Sequence, residues 1–311
     1  MRARPDRRTF LKSAAAAAAF AASERHVGAS GSEPDDGETA YICVTCGIQY
    51  PPSPRPPEHC PVCEDERQYV GVNGQKWTTR AAMRGHYKNV IKEEESGLYS
   101  INTEPGGIGI GQRAFLIRGA SGQNLLWDCV AHLDDATISA VEKLGGIAAI
   151  AVSHPHYYTT MVDWSQAFRN APIFIHALDR QWVVRPSPSV HFWDGDSKDL
   201  FDGLKLVCTG GHFAGFQVLH WPAGAEGRGV LLAGDQPQVA MDPKWVSFMW
   251  SYPNMIPLNA PAIRRIKTTL AVCPFDRLYG AFPARGKGIV ASDAQAVIAR
   301  SADRYLKAIS G

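Results

Sequence analysis

Two sets of residues in this chain are spaced for metal chemistry. The first is a pair of Cys-x-x-Cys turns, Cys43-Val-Thr-Cys46 and Cys60-Pro-Val-Cys63, separated by residues 47–59. Each turn aims two thiolates at one centre, and two such turns make a tetrahedral four-sulfur site. A structural metal is expected there, with two disulfides or a redox role as alternatives. The second set ends apolar runs: His154-Pro155-His156, Gly210-Gly211-His212 and Gly234-Asp235, with Asp128 and His176 in similar places. Alternate residues of an extended segment face one way, so His154 and His156 are expected to grip one ion from one side. The glycines before His212 let the backbone come close. Asp235 adds negative charge, as a fourth ligand or as a base. Three histidines and an aspartate suit zinc or iron.

These groups converge only if rigid elements end together. From about residue 96, short apolar runs alternate with helical stretches, the pattern of an α/β body. Strands are expected at 114–117, 124–127, 147–152, 172–175, 204–208 and 229–233. Asp134 or Asp135 can cap a helix carrying Ile138, Val141 and Leu144, and Asn259-Ala-Pro261 can open one carrying Ile263, Ile266 and Leu270. Ser292-Asp-Ala-Gln295 reads as a capping box for the last helix. The aromatic segment 245–257 is expected either to wall the metal or to pack beneath the next helix. His176 and Asp179 are expected to support their loop, and Asp163 to be solvated.

The cysteine turns resemble a rubredoxin-type knuckle or zinc ribbon, a closed structural site that accepts zinc or iron; its loop, shorter than in rubredoxins, favours zinc. Over 96–311 the chain resembles the metallo-β-lactamase superfamily, on Asp128, His154-Pro155-His156, Gly211-His212 and Gly234-Asp235. The resemblance implies an αββα sandwich preceded by the small four-cysteine knuckle, with metal at one end between the sheets. It also implies His154, His156 and His212 as ligands of the first metal and Asp235 as the carboxylate that bridges two. The chain departs from the family where that pattern continues Asp-His: here stand Tyr158 and Thr159, and none of the ten histidines follows His220. One metal is therefore expected in place of two. Tyr158 either hydrogen-bonds an oxyanion or fills the vacant place. The resemblance implies a hydrolase in which zinc-bound hydroxide attacks an ester, lactone, thioester or amide carbonyl of a small-molecule substrate. The alternatives are a non-catalytic metal-binding or scaffold protein with a degenerate site, and an iron redox protein.

At 311 residues, with 45% hydrophobic and 20% charged residues, the composition is that of a globular chain and excludes collagen-like, coiled-coil and wholly disordered readings. The net charge is +2, and residues 1–25 hold six basic and two acidic residues, so the rest carries −2. No nucleic-acid partner is expected from a body with no positive excess. Arg7-Arg8 with Phe10-Leu11-Lys12 and the alanine run after them resemble a twin-arginine signal; the alternatives are a disordered basic tail or a mitochondrial-type presequence. That implies the twin-arginine export machinery as a partner and a periplasmic or secreted location. The alanine run is too short and mild to remain as a span, and no other stretch reaches roughly 18 apolar residues, so no stable membrane span is expected in the mature chain. The expected organisation is a signal peptide at 1–29, a linker at 30–39, the four-cysteine rubredoxin-like module at 40–72, a connecting segment at 73–95 and the metallo-β-lactamase-like domain at 96–311. Cys129, Cys208 and Cys273 are expected as unpaired thiols.

Overall fold

The apolar runs pair almost entirely in chain order. In the computed structural model, which describes residues 39–283 and 286–309, seven strands form the first sheet. They are β1 (Lys88–Glu95), β2 (Leu98–Glu104), β3 (Ala114–Arg118), β4 (Asn124–Trp127), β5 (Ala149–Ala151), β6 (Ile173–His176) and β7 (Val190–Trp193). β1 to β4 run antiparallel, and β4 to β7 run parallel. The second sheet takes β8 (Ser197–Asp199), β9 (Lys205–Cys208), β10 (Gln217–Trp221), β11 (Val230–Leu232), β12 (Arg277–Tyr279) and β13 (Ile289–Val290) in that order. Only its β11–β12 pair is parallel. The expected signal peptide and nearly all of the linker lie outside the described residues.

Parallel neighbours need crossovers, and helices supply three of them. α1 (Asp135–Lys143) joins β4 to β5, α2 (Met161–Ala167) joins β5 to β6, and α3 (Ala260–Ala271) joins β11 to β12; α4 (Ala294–Ile309) follows β13. The capping expected for α1 and α3 is present: Asp134 accepts from the Thr137 N–H and Asn259 from the Ala262 N–H. The capping box expected before α4 is not. Gln295 instead donates to the Leu270, Ala271 and Cys273 carbonyls, closing the C-terminal end of α3. Carbonyls at and just past a helix C-terminus lack a full set of intrahelical donors, so they compete for the amide.

Three apolar layers make this an αββα sandwich. Phe115, Ile117, Leu125 and Trp127 of the first sheet meet Leu206, Leu219, Trp221 and Leu232 of the second in the central layer. Ile263, Ile266 and Leu270 of α3 and Val297, Ile298 and Ala302 of α4 cover the second sheet. α1 and α2 cover the first sheet, where Val141, Met161, Val162 and Trp164 join Leu126, Ile150 and Ile173.

The cysteine knuckle shares that last layer. Its Ile48, Tyr50 and Val62 lie in the same apolar cluster as Tyr157 and Met161, so the piece draws on the sandwich as well as on any ion. Thr39–Cys43 pairs with Gln49–Ser53 on one side and with Trp77–Thr78 on the other, so the knuckle reaches residue 78. The first sheet begins at Lys88, because β1 pairs along nearly its whole length with β2. Asp163, expected in solvent, is buried beneath the knuckle. Its carboxylate takes Arg185 at 2.6 Å, Arg80 at 3.2 Å and the Gln49 amide at 3.0 Å.

Candidate functional site

The second half of the first sheet and two strands of the second end at one place. His154 and His156 follow β5, His212 follows β9 and Asp235 follows β11. All four are buried, and their ligand atoms lie within 4.8 Å of one another. The three imidazole centroids form a nearly equilateral triangle with sides of 5.1, 5.2 and 5.1 Å. His154 Nε2 is 3.4 Å and His212 Nε2 3.8 Å from Asp235 Oδ2, and His212 Nε2 is 3.3 Å from His156 Nδ1. The His-x-His geometry arises differently from strand alternation. His154 is extended, with φ −168° and ψ 172°, but Pro155–Tyr157 is a 3-10 turn that swings His156 back toward the same centre.

Neighbours aim these rings. The His154 Nδ1 faces the Ser153 hydroxyl at 2.9 Å, leaving Nε2 for the centre. His212 Nδ1 lies 3.2 Å from the Met249 carbonyl, to which it donates, so its Nε2 carries the free lone pair. Gln236 clips the loop by accepting from the His212 N–H at 2.9 Å and donating to the Gly210 carbonyl at 2.7 Å. Gly211 is required here: its φ is +98°, and a Cβ would lie 2.5 Å from the Gln236 amide. Asp128 accepts from the Ser153 N–H at 2.7 Å, so it fixes the start of the His-x-His turn without joining the ligand set.

The donor set fits a metal ion. His154 Nε2, which faces the centre, is buried with no hydrogen-bond partner among the described residues, as are His156 Nε2 and Asp235 Oδ1, the second atoms of two groups whose Nδ1 and Oδ2 face it. Such atoms cost about 1–3 kcal/mol each when left unsatisfied, and three nitrogens with one carboxylate match a divalent transition ion. Burial pushes His212 down to about 4 and His156 well below its usual value, so both are neutral at pH 7, as ligation requires. Burial works against the charge of Asp235, but His154 and His212 beside it hold its carboxyl well below the usual range.

The cysteine cluster fits equally well. Cys43 Sγ is 3.5 Å from Cys63 Sγ and Cys46 Sγ is 3.7 Å from Cys60 Sγ, far beyond disulfide bonding and close to the edge of a tetrahedron with bonds of about 2.3 Å. Gln75 donates to Cys43 Sγ at 3.0 Å. Among the described residues these two clusters are the groups able to hold a metal. Cys129, Cys208 and Cys273 are buried and unpaired, and burial raises all three thiols.

A cleft of ≈ 540 Å³ opens beside His156, His212 and Asp235. Tyr252 and Pro253 line it, so part of the aromatic segment is a wall, while Phe248 of the same segment is core. Tyr158 does not line the cleft. The turn after His156 sends it into the layer shared with the knuckle, where its hydroxyl has no partner among the described residues. His176 holds its own loop, with Nε2 donating to the Gly195 carbonyl at 3.0 Å and Nδ1 accepting from the Leu178 N–H.

Four features escape a reading of the sequence. Arg67 and Gln238 line the cleft, Gln236 clips the His212 loop, and Gly107, Gly109 and Gly111 form a bare wall. Only the last has a local signal, four glycines within residues 106–111.

Asp179 also supports the site, accepting from the Gly215 N–H at 2.8 Å, and burial raises its carboxyl from 3.8 to about 6. Below about pH 4 the group is protonated whether the chain is folded or not. Between about pH 4 and 6 the unfolded chain gives up this proton while the folded chain keeps it, so stability falls across that window and levels off above it. Asp179→Asn keeps an acceptor for Gly215 and removes this titration. Thermal melts across pH 4–7 should show a flatter profile and a gain on the order of 1 kcal/mol at pH 7. An unchanged slope would refute the assignment.

No known protein-family profile matches the chain. It is 50% identical over 272 residues to the uncharacterized protein YmaE of Bacillus subtilis (strain 168), covering 87% of this chain and 97% of that protein. Among solved structures it is similar to the DIM-1 metallo-β-lactamase, with TM-score 0.51 and 13% identity over 71% of this chain and 98% of that one. TMB-1 gives TM-score 0.52 and 14% identity with the same coverages. A metallo-β-lactamase from Pontibacter korlensis gives 0.50 and 12%, over 70% of this chain and 99% of that one. At these identities the structures establish the fold, which matches the layers above. The chain thus belongs to the family of YmaE and has the metallo-β-lactamase fold, with a four-cysteine module ahead of it.

Proposed function

We propose that this chain is an exported, mononuclear zinc hydrolase that cleaves an ester, lactone, thioester or amide of a small molecule. The observation that carries the reading is the buried triangle of His154, His156 and His212 closed by Asp235, with unsatisfied atoms beside an open cleft. A divalent ion held there would supply Lewis acidity to a carbonyl and acidify a water near neutral pH. The protein's own groups do the rest. Ser153 and the Met249 carbonyl fix the rings of His154 and His212, and Asp235 serves as fourth ligand or accepts a proton. Gln238 lines the cleft, is buried, and its amide has no partner among the described residues, so it is placed to donate to an oxygen that gains charge during the reaction. The sequence offers Tyr158 for that role, but Tyr158 faces the core, and the role passes to Gln238. A single ion is supported by the absence of a further His/Asp/Glu group among the described residues. Export rests on Arg7-Arg8 and the segment after them, in the sequence outside the described residues.

The test is a hydrolysis panel on zinc-loaded protein with metal counted on the same sample. Two ions per chain, hydrolysis lost on chelation and restored by zinc, and a fall in kcat of about 10²-fold in Gln238→Ala at unchanged metal content support the reading. Two ions with no hydrolysis of any carbonyl class would sink it in favour of a non-catalytic metal protein.

A further inference from the structure

The cysteine knuckle is fastened to the loops that carry the ligands. Four residues past Cys63, Arg67 crosses the cleft wall and its Nη1 donates to the His212 carbonyl at 3.2 Å. Its guanidinium lies 3.9 Å over the Phe213 ring and 4.5 Å over Trp250, while Asp65 takes the other edge, with Nη2 to Oδ2 at 2.8 Å. A planar, forked cation pinned on two faces and two edges has little freedom left. Asn254 makes a second fastening, donating to the Glu66 and Gln68 carbonyls at 2.9 and 3.1 Å. The same hairpin offers Met249 to His212 Nδ1, and Tyr252 donates from its hydroxyl to the Asp235 carbonyl at 2.7 Å. A third runs from the Gln49 N–H to the carbonyl of Thr159, three residues past His156. The knuckle therefore touches the loops of His156, His212 and Asp235, while its own order depends in part on four thiolates held together.

We propose that Arg67 is a positioning residue coupling the two metal sites, so that an ion in the cysteine site raises the affinity of the histidine site for its own. The coupling rests on the reading that the histidine cluster binds a metal. With the knuckle ordered, Arg67 and Asn254 hold the loops of His212 and Asp235 before an ion arrives, and the ion need not meet that ordering cost. With the knuckle loose, the same loops must be ordered by the ion itself. The coupling is reciprocal: filling the histidine site tightens the cysteine site by the same factor.

The experiment is a cobalt titration of the full chain, with total metal counted. Cobalt in the four-thiolate site gives an intense sulfur-to-metal absorption, and cobalt in the histidine site gives only weaker visible bands, so each site reports separately. In Arg67→Gln the thiolate absorption should persist while histidine-site affinity drops about 10- to 100-fold and its visible bands change. Arg67→Lys, which keeps the charge but not the fork, should recover part of the loss. If Arg67→Gln does not fold, Asp65→Asn, which frees one edge of the guanidinium, should show a smaller shift in the same direction. Two ions with identical histidine-site affinity and spectrum in wild type and variants would overturn the coupling alone. One ion in wild type, in the thiolate site only, would overturn both the coupling and the hydrolase reading.

Discussion

Cys60→Ser should lose one ion per chain and melt about 10 °C lower than the wild type. Cys60 is fully buried, and its sulfur sits 3.7 Å from that of Cys46, at one corner of the four-sulfur cluster. An ion bound to four thiolates contributes about 10–16 kcal/mol to folding where the protein around it is small. Here the knuckle also packs Ile48, Tyr50 and Val62 against the sandwich, so only part of that energy is at stake. A loss of about 4 kcal/mol is a conservative share, and a chain of this length loses about 2–4 °C for each kcal/mol. The damage should be local. Hydrogen exchange should accelerate over residues 39–78, while β3 to β6 of the first sheet keep their protection. An unchanged metal count and melting curve would remove the metal from this cluster.

His156→Ala is the second large effect, and it falls on chemistry instead of stability. The side chain is buried between His154 and His212, and its Nδ1 is the atom nearest His212 Nε2. Without it the set drops to two imidazoles and a carboxylate. An ion there supplies several kcal/mol of transition-state stabilisation, and each 1.36 kcal/mol is tenfold in rate. Hydrolysis should fall by about 10³-fold or more, with the histidine-site ion lost and the cysteine-site ion kept. The melting temperature of the metal-free variant should stay close to that of metal-free wild type, since a buried, unpartnered Nε2 is removed along with the contact of Nδ1 to His212. Retained activity at wild-type level would exclude this site as the seat of reaction.

Much of the site is legible in local sequence because its parts are local. The ligands stand within a few residues of strand ends, and the apolar runs that mark those strands are found within about two residues of their observed limits. Asn259 and Asp134 cap as expected because a cap depends on three neighbouring residues. Other features depend on chain segments that meet only in space. Arg67 reaches a carbonyl 145 positions away, and no spacing rule foretells that. Asp163 reads as a surface helical residue until the knuckle lays Gln49 over it and Arg185 and Arg80 close on it. Tyr158 lies away from the cleft for a different reason. Its place in a motif says which residue it replaces, whereas the backbone turn at Pro155–Tyr157 decides where its side chain goes.

Seven cysteines sit in a chain proposed for an oxidising compartment, where stray thiols are a hazard. Thiol exchange and alkylation begin with a thiolate that a reagent can reach. Cys129, Cys208 and Cys273 offer neither: each is buried, and each is held in its protonated form by that burial. The other four sulfurs are gathered in one closed, buried cluster, where an ion would occupy their lone pairs. Loss of that ion would release four thiols at once, and their oxidation would bear directly on the loops of the histidine site that the knuckle touches.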